Sequence, residues 1–336
     1  MKPRLAVIPG DPSGIGPELI ARLLAEPETR ERADILLIGD RAVFEQGMAQ
    51  AGLSFEMAAC DPRVGDWSGL GGSAFPWLEM RSIAPEEIRI AEVSEASGRS
   101  VLATLDLALE LARDRVVEGV LFGPFNKAAL HAADLGHEDE LHYMAERLGV
   151  TGYISELNTL DGIWTSRVTS HIALSAVAEA IKGDTICKAV ELIDRTLKRS
   201  GVARPRISVA ALNPHAGDDG NFGREEIEVI RPAVARMAAR QIAVDGPWPS
   251  DTVFLKAKAR ELDAVVTMYH DQGQIALKLM GFERGVTVQG GMPFPVTTPA
   301  HGTAFDIAGQ GKADPGATRA AFDLACDMIA NWTEEP

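Results

Sequence analysis

Short apolar runs alternate with amphipathic segments along most of the 336 residues, and this alternation constrains the fold more than any single motif. "RLAVIP", "DILLIG", "GVLFGP", "SRVTSHIAL", "RISVAALNP" and "DAVVTMYHD" read as strands. A helix is expected from about Pro17. Others are expected over "ASGRSVLATLDLALELARD", "TICKAVELIDRTLKRSG", "REEIEVIRPAVARMAARQ" and "GATRAAFDLACDMIANW". Alternating elements of this kind give an α/β fold with a mainly parallel sheet and helices on its faces. The length suits two domains or one large α/β unit. In such sheets, ligands bind outside the carboxyl ends of the strands.

The residues at those ends are unusual. "PGDPSGIGPE" follows the first strand and "GPFNK" follows "GVLF". His171 follows "SRVTS", His215 lies in "NPHAGDDG", and His270 and Asp271 close "VVTMYHD". Three of only seven histidines thus occupy one topological position, and on separate strands they would share one sheet edge. Three imidazoles without cysteine suit Zn²⁺ or a divalent ion of similar preference, with a coordination position left for substrate. The alternative is that they cap turns or satisfy buried carbonyls, and spacing alone leaves it open.

"GDPSGIGPE" is neither a dinucleotide fingerprint nor a phosphate-binding P-loop. It reads either as a tight turn, with Pro17 at the first helical position and Glu18 favourable to the helix dipole, or as an anion-accepting helix start. Lys127 in "GPFNK" is either a cation for substrate or a solvated lysine. A lysine is electrostatically unfavourable at a helix start, which tilts the reading toward function. "VGDWSGLGGSAF", Val64 to Phe75, reads as an exposed loop or connector.

A formal net charge of −15 argues against a nucleic-acid partner, which needs a basic surface. An anionic substrate would need a local cationic pocket. Cys60, Cys187 and Cys326 form no CxxC pair, which fits a reducing cytoplasm rather than a disulfide framework. No apolar stretch approaches the roughly 18 residues of a spanning helix, and the N-terminal apolar run is too short for a signal peptide. A cytoplasmic chain without a membrane partner is therefore expected.

Taken together, "GDPSGIGPE", "GPFNK", Gly136–His137, "NPHAG", "GPWPSDT", "YHDQG", Leu277–Lys278 and "HGTAFDIAGQGKAD" run in order from residue 10 to 314. They resemble the 4-hydroxythreonine-4-phosphate dehydrogenase family of pyridoxal phosphate biosynthesis. "HGTAFDIAGQG" is also similar to the cofactor loop of the isocitrate and isopropylmalate dehydrogenases. The resemblance implies a two-domain α/β/α sandwich of that type with the active cleft between domains. The expected division is 1–130 plus 265–336 for the domain with the cofactor loop. Residues 131–264 would carry the dimer interface and metal ligands.

The same resemblance implies that His171, His215 and His270 hold a divalent metal, with Zn²⁺ first and Co²⁺, Ni²⁺, Mn²⁺ or Mg²⁺ after it. In the family the site lies at the interface of a homodimer, which would pair His171 and His215 with His270 of the other chain. His137 and Lys278 match substrate-binding positions. His301, Gly302, Thr303, Ala304 and Asp306 match the loop that holds the adenosine part of NAD, and Asp306 is the candidate for the ribose hydroxyls. The implied reaction oxidises a β-hydroxy acid with NAD and then releases carbon dioxide. Asp251 and Asp271 are the carboxylates to test as acid and base, or as groups that orient a ligand. Lys127 joins them as a catalytic candidate.

Three departures bear on substrate. Glu138 stands where the family has threonine, Thr287 where it has asparagine, and Val296 where it has arginine. Losing an arginine removes a bidentate phosphate donor, and Glu138 adds negative charge. The expectation is the family's reaction on another anionic small molecule, such as a phosphorylated four-carbon sugar acid or the cis-dihydrodiol of terephthalate. A metal-dependent hydrolase using the same histidines would have no use for the cofactor loop. A non-catalytic binding protein would be expected to have lost the ligands or the loop.

Overall fold

The computed structural model describes residues 2–68, 73–281 and 283–332. Residues 69–72 of the expected Val64–Phe75 loop lie outside them. Its strands, in chain order, are β1 (Arg4–Ile8), β2 (Asp34–Asp40), β3 (Met57–Ala59), β4 (Phe75–Met80), β5 (Gly119–Phe122), β6 (Ser155–Leu160), β7 (Ile163–Arg167), β8 (Ile207–Ala210), β9 (Val244–Trp248), β10 (Ala264–Thr267), β11 (Val286–Gly290) and β12 (Val296–Pro299). The fold is α/β, as expected.

The chain divides into two compact units, one running to Thr151 and resuming at Met292, the other Gly152–Gly291. The expected breaks were 130/131 and 264/265. The first falls later because the helix Glu140–Arg147 is tied to the helix Glu95–Arg113, where the Tyr143 hydroxyl donates to Asp106 at 2.8 Å. The second falls later because β10 pairs with β7 and β8, and β11 pairs with β6. His270 and Lys278 therefore share a unit with His171 and His215.

In the first unit the strand order is β3-β4-β2-β1-β5-β12, and every pair in it is parallel. Leu5–Ile8 and Ile35–Ile38 are buried throughout, as strands covered on both faces must be. The helix Glu95–Arg113 starts where the Ser94 hydroxyl accepts from the Ser97 N–H at 3.0 Å, satisfying one orphan donor. The helix Gly16–Ala25 carries Pro17 in its first turn. Glu18 does more than complement the dipole. It is fully buried, and one of its oxygens accepts from Arg22 Nε at 2.9 Å and from the Ala313 N–H at 3.0 Å.

In the second unit the order is β11-β6-β7-β10-β8-β9. β7, β10, β8 and β9 are parallel, while β11–β6 and β6–β7 are antiparallel. The short antiparallel strands carry mixed polar residues, so no continuous apolar run announces them. The helix Gly183–Arg199 covers β7 and β11 with Ile186, Val190, Ile193 and Leu197, all fully buried.

Candidate active site: two strand edges

In the second unit, β7, β10 and β8 are adjacent and parallel, so their carboxyl ends lie on one edge. His171, His270 and His215 each follow one of these ends. The expected strand over "SRVTSHIAL" stops at Arg167, although Val168 and Thr169 still donate to the Thr267 and Met268 carbonyls at 2.9 and 3.1 Å. A turn at Ser170 then leaves His171 exposed in a loop. Its ring lies 5.3 Å from that of His270, centroid to centroid.

His270 opens the helix His270–Met280. Gln272 ties this helix to two strand ends, accepting from the Met268 N–H at 2.7 Å and donating to the Ala211 carbonyl at 2.8 Å. Asp271 is exposed, and its Oδ1 lies 2.7 Å from His270 Nδ1. A proton on Nδ1 satisfies that carboxylate and leaves Nε2 with its lone pair for a ligand. His270, Gln274 and Lys278 follow one another at helical spacing along a single face. Gln274 donates to the Asn158 side chain, and Asn158 Nδ2 donates to Thr287 Oγ1 at 2.9 Å. Thr287 is thus buried and hydrogen-bonded, while Lys278 is exposed. Asp251 is exposed in the turn between β9 and the helix Val253–Lys258.

His215 sits in an uncommon backbone. His215, Ala216, Gly217, Asp218 and Asp219 have φ values of 53°, 53°, 81°, 44° and 52°, a run of left-handed residues. Left-handed conformation costs roughly 1–2 kcal/mol per non-glycine residue, and strain of this size persists where surrounding contacts over-determine it. The exposed His215 ring lies 6.0 Å from the ring of Phe222. A buried carboxylate, Glu226, backs the turn, accepting from the Leu212 and Asn213 N–H groups at 2.9 and 2.7 Å. Its other oxygen would lie 2.7 Å from a Cβ at Gly217, which fixes glycine there on both counts.

The first unit's edge is built from interlocked loops. The Gly10–Gly14 loop follows β1, the Gly123–Asn126 loop follows β5, and the His301 loop follows β12. The Asp11 N–H donates to the Pro124 carbonyl at 3.0 Å and the Ile15 N–H to the Thr303 carbonyl at 3.1 Å. Gly10, at φ +79°, packs so closely that a Cβ would meet the Gly123 carbonyl at 2.5 Å. Of the two readings of "GDPSGIGPE", these contacts favour the turn. The N–H groups of Ser13, Gly14 and Ile15 are already used within the protein.

Asp11, which sequence reasoning did not single out, argues the same way. Its side chain is fully buried, with Oδ1 accepting from the Ser13 N–H at 2.8 Å and Oδ2 without a partner among the described residues. Burial pushes its carboxyl up to about 6, against the hydrogen bonds from Ser13. A carboxyl at this point does not favour an anion.

Asn126 caps the helix Lys127–Ala132 and leaves Lys127 exposed at its first position. Burial raises the Asp139 carboxyl, but hydrogen bonds from the His142 N–H and ring and the charge of Lys127 bring it below its ordinary range. Asp139 caps the helix Glu140–Arg147, and His137 and exposed Glu138 precede it. The His137 Nε2 pairs with the Glu146 carboxylate.

In the cofactor-type loop, Thr303 is buried, within 3.4 Å of the Asn126 amide nitrogen, and Ala304 is left-handed at φ 42°. Gly302 faces open space and the Asp306 side chain is exposed, so the loop offers both room and a carboxylate to a ribose. Burial lowers the His301 imidazole, which keeps it neutral near pH 7. Val296 is fully enclosed in β12 opposite Val120. It bears on a ligand only through the donor it lacks.

A family profile described as "Pyridoxal phosphate biosynthetic protein PdxA" matches residues 31–325. A Pseudomonas aeruginosa protein provisionally named 4-hydroxythreonine-4-phosphate dehydrogenase 2 is 56% identical, over 97% of each chain. Among solved structures, 4-hydroxythreonine-4-phosphate dehydrogenase from Klebsiella pneumoniae superposes with a TM-score of 0.84 at 34% identity, covering 98% of each chain. A terephthalate 1,2-cis-dihydrodiol dehydrogenase from Burkholderia xenovorans LB400 gives 0.66 at 26%, covering 97% of this chain and 98% of its own. A β-decarboxylating dehydrogenase from Thermococcus kodakarensis, at 0.52 and 16%, covering 98% of this chain and 84% of its own, shows the shared fold alone.

Proposed function

The chain belongs to the pyridoxal phosphate biosynthetic protein PdxA family, and from that premise we propose that it oxidises a β-hydroxy acid with NAD and releases carbon dioxide, using a divalent metal. Its reaction class is that of a dehydrogenase acting on a CH–OH group. The carrying observation is that His171, His270 and His215 follow the ends of three adjacent parallel strands.

The pair His171 and His270 fits a metal, with ring centroids 5.3 Å apart and the Asp271 carboxylate leaving His270 Nε2 for a ligand, and His215 is assigned as the third ligand from its place after β8. Zn²⁺ is the first assignment for an all-imidazole set, ahead of Co²⁺, Ni²⁺, Mn²⁺ and Mg²⁺. When bound, such an ion supplies Lewis-acid stabilisation of negative charge on a substrate oxygen. Asp271 holds the ring of His270, and Asp251 is the carboxylate assigned to take the alcohol proton. Lys278, on the same helix face as His270, and Lys127 are the cations assigned to substrate, with His137 beside them in role. Gly302 and Asp306 fit the ribose of NAD, and Thr303 and Ala304 shape that loop.

Exposed apolar side chains support a homodimer. Ile275 and Leu279 on the helix of His270 are 60% and 84% exposed, and Leu174, close after His171, is 71% exposed. Residues of this kind on a folded surface mark an interaction site. The resemblance divides the three ligands between two chains, whereas the 5.3 Å approach within one chain favours a local pair of His171 and His270. Mixing inactive His171→Ala and His270→Ala chains decides between them. Recovered activity requires His171 and His270 from different chains, and none after confirmed subunit exchange excludes that division.

Substrate is where this chain departs from the family. Val296 offers no donor, Glu138 is an exposed carboxylate, and the N–H groups of Asp11, Ser13 and Gly14 are spent internally. A glutamate at contact distance from a phosphate repels it by about 1–4 kcal/mol. The proposed substrate is therefore not 4-phosphohydroxythreonine but another β-hydroxy acid, a four-carbon sugar acid or a carboxylated cis-dihydrodiol. Metal-dependent NAD reduction across these compounds tests the assignment. A kcat/KM of about 10⁴ M⁻¹s⁻¹ or more on 4-phosphohydroxythreonine overturns it.

A further inference from the structure

The left-handed turn that carries His215 is closed at its far end by its own bonds, the Asn221 N–H to the Asp218 carbonyl at 3.0 Å and the Phe222 N–H to the Gly217 carbonyl at 3.1 Å, but its near end is held from outside. Its residues spend little of their own hydrogen bonding on the strand that precedes them. The link back to β8 runs through Leu212 and Asn213, and both of their N–H groups end on one oxygen of Glu226, at 2.9 and 2.7 Å. The second oxygen of Glu226 accepts from Asn213 Nδ2 at 2.9 Å, and that amide also donates to Glu225 at 2.7 Å. Glu226 is fully buried, so these bonds do not compete with water. It opens a π-helical turn, Glu226–Ile230, ahead of the helix Arg231–Ala239. Such widened turns recur where a helix must deliver a side chain to a functional position.

We propose that Glu226 is a positioning residue for His215, fixing the angle at which its imidazole meets a divalent ion. The inference rests on the assignment of His215 as a metal ligand. Glu226 itself touches neither metal nor substrate. Its carboxylate selects the backbone path through Asn213 and Pro214, and that path sets where the ring points. A buried carboxylate that receives three N–H donors is hard to replace, because a donor put in its place leaves Asn213 facing another donor.

The test is Glu226→Gln, which keeps shape and volume and reverses one hydrogen bond. Co²⁺ is titrated into the full-length wild type and the variant, following the visible absorption of the bound ion and its Kd. Thermal unfolding of the metal-free proteins is measured in parallel. A 10- to 100-fold weaker Kd and altered Co²⁺ absorption, at a melting temperature within a few degrees of wild type, are expected. Unchanged Kd and spectrum in a folded Glu226→Gln protein overturn the inference, as does a fall in melting temperature with no change in either. Should that variant not fold, Glu226→Asp, which keeps the charge but shortens its reach to the Leu212 and Asn213 N–H groups, decides in the same way. Wild type that binds no Co²⁺ defeats the metal assignment itself, an outcome distinct from wild type that binds and a variant that binds equally well.

Discussion

The two strand edges are built on opposite principles. The first unit's edge is closed by backbone. Gly10 lies against Gly123, the Ile15 N–H bonds the Thr303 carbonyl, and one carboxyl, Asp11, is sealed inside. The second unit's edge is open and carries side chains with lone pairs. His171 and His215 are exposed, and the latter stands on a left-handed turn backed by Glu226. The first edge spends its polar groups on holding loops together. The second keeps strained backbone and exposed imidazoles, a combination that suits the metal site proposed above. Substitutions should therefore damage stability at the first edge and chemistry at the second.

The largest expected effect is at the second edge. His215→Ala should lower kcat at least about 1,000-fold, a barrier change of roughly 4 kcal/mol. Its melting temperature should stay within a few degrees of wild type, because the ring is exposed. Exhaustive chelation of the wild type should have the same result, restored by Zn²⁺ or Co²⁺. Full turnover in either case removes the metal from the mechanism.

At the first edge the order of damage reverses. Gly10→Ala puts a Cβ 2.5 Å from the Gly123 carbonyl at a φ of +79°, so neither contact nor backbone can accommodate it. A loss of about 3 kcal/mol in unfolding free energy is expected by denaturant titration. A variant as stable as wild type would show that these loops do not hold one another.

Much of this contrast was legible in the sequence, for reasons that differ between the edges. Histidines after "SRVTS", "ISVAALNP" and "VVTMY" are rare residues at a recurring position, and parallel neighbours bring such positions together. The antiparallel β6 and β11 escaped because their residues, such as Glu156, Asn158, Thr287 and Gln289, are polar yet sit within the sheet, so alternation was invisible. Glu226 and Asp11 escaped because burial of a carboxylate leaves no mark on local pattern. Only tertiary contacts reveal it. The cofactor-type loop was found as a resemblance, but that Thr303 is a buried packing residue while Gly302 and Asp306 are open required the fold.

Asp11 sharpens the comparison through pH. Its folded pKa, about 6, lies above its ordinary value of 3.8 because burial penalises the charged form. A group raised in this way gives stability that is complete below pH 3.8 and lost as pH rises through 6. Asp11→Asn should keep the acceptor for the Ser13 N–H and remove the buried charge. The variant should thus gain stability relative to wild type between pH 5 and 8, on the order of 2 kcal/mol. A difference between the two proteins that does not change with pH would show that Asp11 titrates normally.

The smallest effect separates positioning from chemistry at the second edge. Asp271 is exposed, and its contact with His270 Nδ1 at 2.7 Å competes with water, so it adds little to stability. Its influence lies in the tautomer it selects. With the proton held on Nδ1, Nε2 keeps the lone pair that the proposed metal would take. Asp271→Asn keeps an acceptor for the Nδ1 proton but removes the charge beside the ring, so metal affinity should fall about 10-fold, while Asp271→Ala should cost up to about 100-fold. Excess metal should then restore most of kcat in both variants, because the substrate-facing groups are intact. If saturating metal leaves Asp271→Asn inactive, Asp271 acts on substrate directly as acid or base. The second edge would then hold its proton-transfer group on the residue that also orients a ligand.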